Sequence, residues 1–91
     1  MSLSRSSEPA PPRELHLIGK RVEEALDLLD KYLDDAALAS LSPVRIVHGI
    51  GTGRLRAAVR RFLETHPHVE GFSEAQEREG GGGATVVRIR I

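Results

Sequence analysis

The chain has 91 residues, 40% hydrophobic and 29% charged, with 13 basic residues balancing 13 acidic ones, which leaves room for one small soluble domain with a modest core and one site. No apolar run approaches membrane-spanning length, so a membrane protein is excluded. The absence of cysteine removes disulfides, zinc–thiolate centres and thiol nucleophiles together, a usage that suits the cytoplasm.

Met1 to Arg13 is rich in serine and proline and lacks the apolar stretch of a signal peptide, so 1–13 is expected to be a disordered linker and 14–91 the folded domain. Glu14 to Ile18 reads as a first strand. From Arg21 to Ser40, the residues Val22, Ala25, Leu26, Leu29, Leu33 and Ala36 recur at helical spacing, and Ser42 and Pro43 end the helix they predict. From Val22 to Leu41 the charges are Glu23, Glu24, Asp27, Asp30, Asp34 and Asp35 against Lys31 alone, read as a solvated acidic face. Val44 to Val47 is a β-branched second strand.

The stretch VRIVHGIGTG, Val44 to Gly53, joins that strand to a glycine loop and then to a basic helix. Gly49, Gly51 and Gly53 free the backbone for positive φ and close approach, and His48 sits at the hinge. Beyond it Leu55, Ala58, Val59, Phe62 and Leu63 keep helical spacing among Arg54, Arg56, Arg60 and Arg61. Free loop N–H groups, a helix N-terminus and guanidinium groups together suit a phosphate. The dinucleotide fingerprint would need glycine where Arg54 stands, and the P-loop would need Gly-Lys-Ser/Thr, so neither nucleotide motif is present.

His66 and Pro67 close the second helix, and His66 and His68, flanking a proline, are expected at the surface. A third strand is expected near Val69 to Ala75, followed by a flexible turn at Gly80 to Gly83. Thr85 to Ile91 then alternates Thr85, Val87, Ile89 and Ile91 on one side with Val86, Arg88 and Arg90 on the other, a half-buried closing strand. The order β-α-β-α-β-β predicts an α/β two-layer sandwich: a four-stranded mixed sheet with a parallel first pair, a final hairpin and both helices on one face. The open face would carry Arg88, Arg90, Arg45 and His16, opposite Leu15, Leu17, Val44 and Ile46. Arginine there suits either of two roles, guarding an exposed sheet against aggregation or contacting phosphate.

The segments ELHLIGKRVEEAL and VRIVHGIGTGRLRAAVRRFLETHP resemble a small MutS-related (Smr) domain over roughly Glu14 to Ile91. His48 to Gly53 matches that family's H-G-x-G-x-G element in full, and the tail ending in TVVRIRI is most similar to the C-terminal domain of bacterial MutS-two proteins. The resemblance implies a fold like the C-terminal domain of a translation initiation factor. It further implies a nucleic-acid-binding module with nicking endonuclease activity on branched DNA, attached to an ATPase that suppresses recombination. RNA or stalled ribosomes are implied for other members, and a non-catalytic binding module is the alternative. The family's first motif, Leu-Asp-Leu-Arg-Gly or Leu-Asp-Leu-His-Gly, here reads Leu15-His16-Leu17-Ile18-Gly19, a departure that bears on cleavage more than on binding.

Hydrolysis needs a group to activate water, positive charge at phosphorus and a proton for the leaving oxygen. The expected catalytic residues are therefore His48 and, across a parallel strand pair, His16. The expected nucleic-acid contacts are Gly49, Gly51, Thr52, Gly53, Arg54, Arg56 and Arg60, with Arg45, Arg88 and Arg90 on the sheet. No metal-ligand motif is visible. Nicking would draw on Mg²⁺ or Mn²⁺, with Glu14 the only carboxylate placed to help.

Overall fold

The computed structural model describes residues 10–91. Of the expected linker, Met1 to Pro9 lies outside the described residues, while Pro12 and Arg13 are tied to the fold. The Tyr32 hydroxyl donates to the Pro12 carbonyl, and the Arg45 N–H donates to the Arg13 carbonyl at 2.8 Å.

The elements are β1 (Glu14–His16), α1 (Val22–Leu38), β2 (Val44–Val47), α2 (Arg54–Glu64), β3 (Val69–Glu74) and β4 (Ala84–Ile89). They form one four-stranded sheet in the order β1-β2-β4-β3. β1 runs parallel to β2, and β4 runs antiparallel to both β2 and β3, as the predicted sandwich requires.

Strand alternation sorts the residues into a core face and an open face. Val44, Ile46, Val87 and Ile89 pack against Ala25, Leu29, Leu33 and Ala36 of α1 and Val59 and Leu63 of α2. Tyr32 joins this core although it lies outside the predicted stripe, because its ring is apolar and its hydroxyl reaches a backbone carbonyl at the rim. Val22 and Leu26, expected in the stripe, are only half-buried. Ile91, expected on the buried side of the last strand, stands beyond its end and is exposed, since β4 stops at Ile89.

Two further expectations change. Glu77–Glu79 and Gly81–Gly83 form short 3₁₀ turns where a flexible glycine turn is predicted. The Gly83 carbonyl accepts the N–H groups of both His48 and Gly49, at 3.0 and 2.9 Å, so this turn braces the glycine loop. His66 is buried, not at the surface: its Nε2 lies 2.8 Å from the Asp30 carboxylate on α1, which compensates an imidazole placed between the two helices.

Candidate nucleic-acid interface

The parallel pair β1 and β2 ends on one edge of the domain, and a pocket of about 620 Å³ opens beyond those carboxyl ends. Such crevices are where open α/β sheets usually receive ligands. Its walls come from the β1–α1 turn with the first turn of α1 (Ile18 to Glu23) and from the glycine loop with the first turn of α2 (His48 to Leu55).

Both helices therefore point their N-termini at the same space, and neither has a side-chain cap. At the α2 end Gly53 adopts φ +86°, which aims the chain into the helix, and the Arg54 N–H reaches the Thr52 hydroxyl at 3.3 Å. Within the loop the Gly53 N–H bonds to the Ile50 carbonyl, while those of Ile50, Gly51 and Thr52 have no partner among the described residues. At α2 the charges run against the usual helix-dipole preference, since Arg54 opens it and its first turn has no acidic residue. At α1, by contrast, Lys20 and Arg21 precede a first turn that carries Glu23 and Glu24. None of the three side chains forms an ion pair among the described residues. An anion would relieve both the helix ends and the crowded cations.

His48 lines this pocket but faces inward, only 4% exposed. Its Nδ1 lies 2.9 Å from the Gly49 carbonyl, which can only accept, so Nδ1 carries the proton. Nε2, 2.9 Å from Thr85 Oγ1, then accepts from the hydroxyl of a residue with no solvent exposure. Burial holds the His48 pKa below its ordinary value against the opposing bond to Gly49, and the nearby Arg56 and Arg60 lower it further. Both ring nitrogens of the neutral side chain are thus engaged within the fold.

His16 occupies the other face of the sheet. It pairs with Val47, one residue before His48, so alternation sends the two imidazoles to opposite sides, and the expected acid–base pair is not brought together. The His16 side chain is 64% exposed, and its Nε2 lies 2.6 Å from a Glu14 oxygen whose partner oxygen meets Arg45. Two residues of chain, at most about 7 Å, separate His16 from Ile18 on the pocket wall.

The predicted arginines divide similarly. Arg54 faces the pocket. Arg56 bonds to Glu74 of β3 at 3.3 Å, and Arg60 has its Nε buried without a partner. Arg45 joins Glu14, Arg88 lies across Gly71, and Arg90 donates to the carbonyls of Pro67 and Val69. Sequence reasoning missed Lys20 and Arg21. The signal available was a basic pair directly before a helix start, where cations are disfavoured.

Glu23 is the only carboxylate lining the pocket and shares it with three cations, a donor set that does not fit Mg²⁺ or Mn²⁺. Elsewhere among the described residues, Asp30, Asp34 and His66 bring ligand atoms within 4.8 Å of one another. There the His68 N–H donates to His66 Nδ1, which leaves the proton on Nε2 facing Asp30, so the cluster is a hydrogen-bonded brace between α1 and the turn after α2.

The Smr domain family profile matches residues 15–90. The chain is 49% identical over 89 residues to endonuclease MutS2 of Thermomicrobium roseum, covering 98% of this chain and 11% of that protein. It spans about a tenth of the length of the MutS2 relatives it matches. The crystal structure of the Smr domain of Thermus thermophilus MutS2 superposes with a TM-score of 0.84 at 45% identity, over 86% of this chain and 98% of that one. YdaL, a stand-alone small MutS-related protein from Escherichia coli, gives 0.83 at 29% identity, over 96% of this chain and 71% of that one. The fold, the H-G-x-G-x-G loop and these relatives agree: the chain belongs to the Smr domain family.

Proposed function

We propose that this domain binds branched DNA at the pocket beyond β1 and β2 and nicks it, as the nucleic-acid-handling part of a longer MutS-like ATPase that suppresses recombination. The carrying observation is the convergence of two uncapped helix N-termini with Lys20, Arg21 and Arg54 on one pocket. Its relatives named endonuclease MutS2 support the reaction class.

One phosphate is held by the partnerless N–H groups of Ile50, Gly51 and Thr52 and by Arg54, which offset the charge that builds up at phosphorus. The strand then runs over the rim to His16. Glu14 orients that imidazole, and His16 takes the proton of the attacking water or supplies one to the leaving oxygen. His48 is a positioning residue that locks the loop to β4 through Thr85.

A second reading, binding without chemistry, draws on the same His48 geometry, because the pocket itself offers no histidine nitrogen free for proton transfer. Incubating the purified chain and its His16→Ala variant with supercoiled plasmid separates the two readings. Nicking by the parent and its loss in the variant supports catalysis. Equal nicking by both preparations removes His16 from the chemistry, and tight binding without nicking by either supports the second reading. RNA and ribosome binding, run in parallel, test the other target class.

A further inference from the structure

Five large hydrophobic residues are exposed among those described: Ile18, Leu28, Leu38, Ile50 and Ile91. Single exposed apolar residues are ordinary. Ile18 and Ile50 differ because they come from separate loops onto the walls of the same cationic pocket, 61% and 70% exposed. Each rests against glycine. A side chain at position 49 would meet Ile18 Cγ1 at 3.3 Å, and one at position 83 would meet Ile50 Cγ1 at 3.6 Å. Both branched side chains therefore present apolar surface to the pocket.

A ligand that fits both the cations and this apolar pair is anionic at one end and flat and apolar at the other, as an unpaired nucleotide is. The pocket of about 620 Å³ lies within the range of about 300–1,000 Å³ usual for small-ligand sites. A continuous duplex keeps both faces of each base stacked, whereas an unpaired base offers its face to apolar side chains. We propose that Ile18 and Ile50 form an apolar clamp for one unpaired nucleobase next to the bound phosphate, making the pocket selective for branched or gapped nucleic acid over continuous duplex. The inference rests on nucleic-acid binding by this same pocket. It also assigns a use to Ile18, which stands where the family's first motif carries a basic residue.

The test compares two oligonucleotide probes of equal length and charge, one a continuous duplex and one with an unpaired 2-aminopurine at a three-way branch. Affinity is read by anisotropy and base contact by 2-aminopurine emission. The parent binds the branched probe more tightly and changes its emission. The double variant Ile18→Ser, Ile50→Ser, with its fold checked by circular dichroism, loses about tenfold on the branched probe and about twofold or less on the duplex, and the emission change disappears. Ile18→Val with Ile50→Val keeps both signals. If the serine variant weakens both probes in proportion, or neither, or if the parent leaves the emission unchanged, the clamp is overturned while binding stands. A folded parent that binds neither probe overturns the clamp and the proposed function together.

Discussion

The pocket beyond β1 and β2 and the open face of the sheet are both basic, yet they differ in how much of that charge is already committed. On the open face Arg45 meets Glu14 and Arg90 is held by two backbone carbonyls, while Arg88 packs across Gly71 without an ion-pair partner among the described residues. In the pocket Lys20, Arg21 and Arg54 have no ion-pair partner among the described residues and crowd two helix N-termini. An arginine already bonded within its own fold gives up those contacts to bind a phosphate, while an uncommitted one at a helix start gains from it. Counting arginines misses this distinction.

The largest expected effect tests the comparison directly. Lys20→Glu with Arg54→Glu should weaken DNA binding by on the order of 10² at low salt and flatten the salt slope by about two units. Titrations across salt concentrations check it, and an unchanged slope would remove the pocket from the interface. Next in size, His16→Ala should lower the nicking rate by about 10² while leaving affinity intact. A rate that follows affinity instead would make His16 a binding group.

Gly49→Ala sharpens the account of the loop. Position 49 has φ +80° and a new Cβ would press on Ile18, so a destabilisation of about 1–2 kcal/mol is expected in urea unfolding. Gly51→Ala, with φ +40° and nothing within 4 Å, has only the backbone cost. The difference between the two variants reports the Ile18 contact.

A smaller effect is expected with pH. Burial depresses the His48 pKa, so near pH 6.5 the unfolded chain takes up a proton that the folded chain refuses. Stability should therefore fall as pH drops below about 6.5 and be fully present above it. Unfolding midpoints at pH 7.5 and 5.5 should diverge less in His48→Asn than in the parent, and an identical divergence would mean that His48 is not held neutral. The smallest effect is predicted on the open face, where Arg88→Ala with Arg90→Ala should change DNA affinity by about twofold or less. A loss matching that of the pocket variant would erase the contrast between the two surfaces.

Local pattern made much of the domain legible. Val44–Val47 is the strand its β-branched run predicts, Thr85, Val87 and Ile89 face inward as alternation requires, and Ala25, Leu29, Leu33 and Ala36 form the buried stripe of α1. The glycine loop could be placed at a strand-to-helix turn because positive φ and helix starts are written within a few residues. Side-chain direction at the ends of elements was less legible. His48 could be placed at the hinge from sequence, but its inward rotation depends on Thr85, 37 residues away. His66 next to a proline reads as a surface residue until Asp30 of α1 is brought 2.8 Å from it.

Sequence by itself determined the main elements, their order and the loop, because periodicity and turn chemistry act over a few neighbouring residues, and the H-G-x-G-x-G motif carried the family resemblance. Tertiary structure decided which groups are free to act. The pairing of β1 with β2 sets Lys20 and Arg21 opposite the glycine loop and sends His16 and His48 to opposite faces, and packing against β4 engages both nitrogens of His48. A polar side chain is available to a ligand only when the fold has not already satisfied it, and that depends on partners distant in the chain.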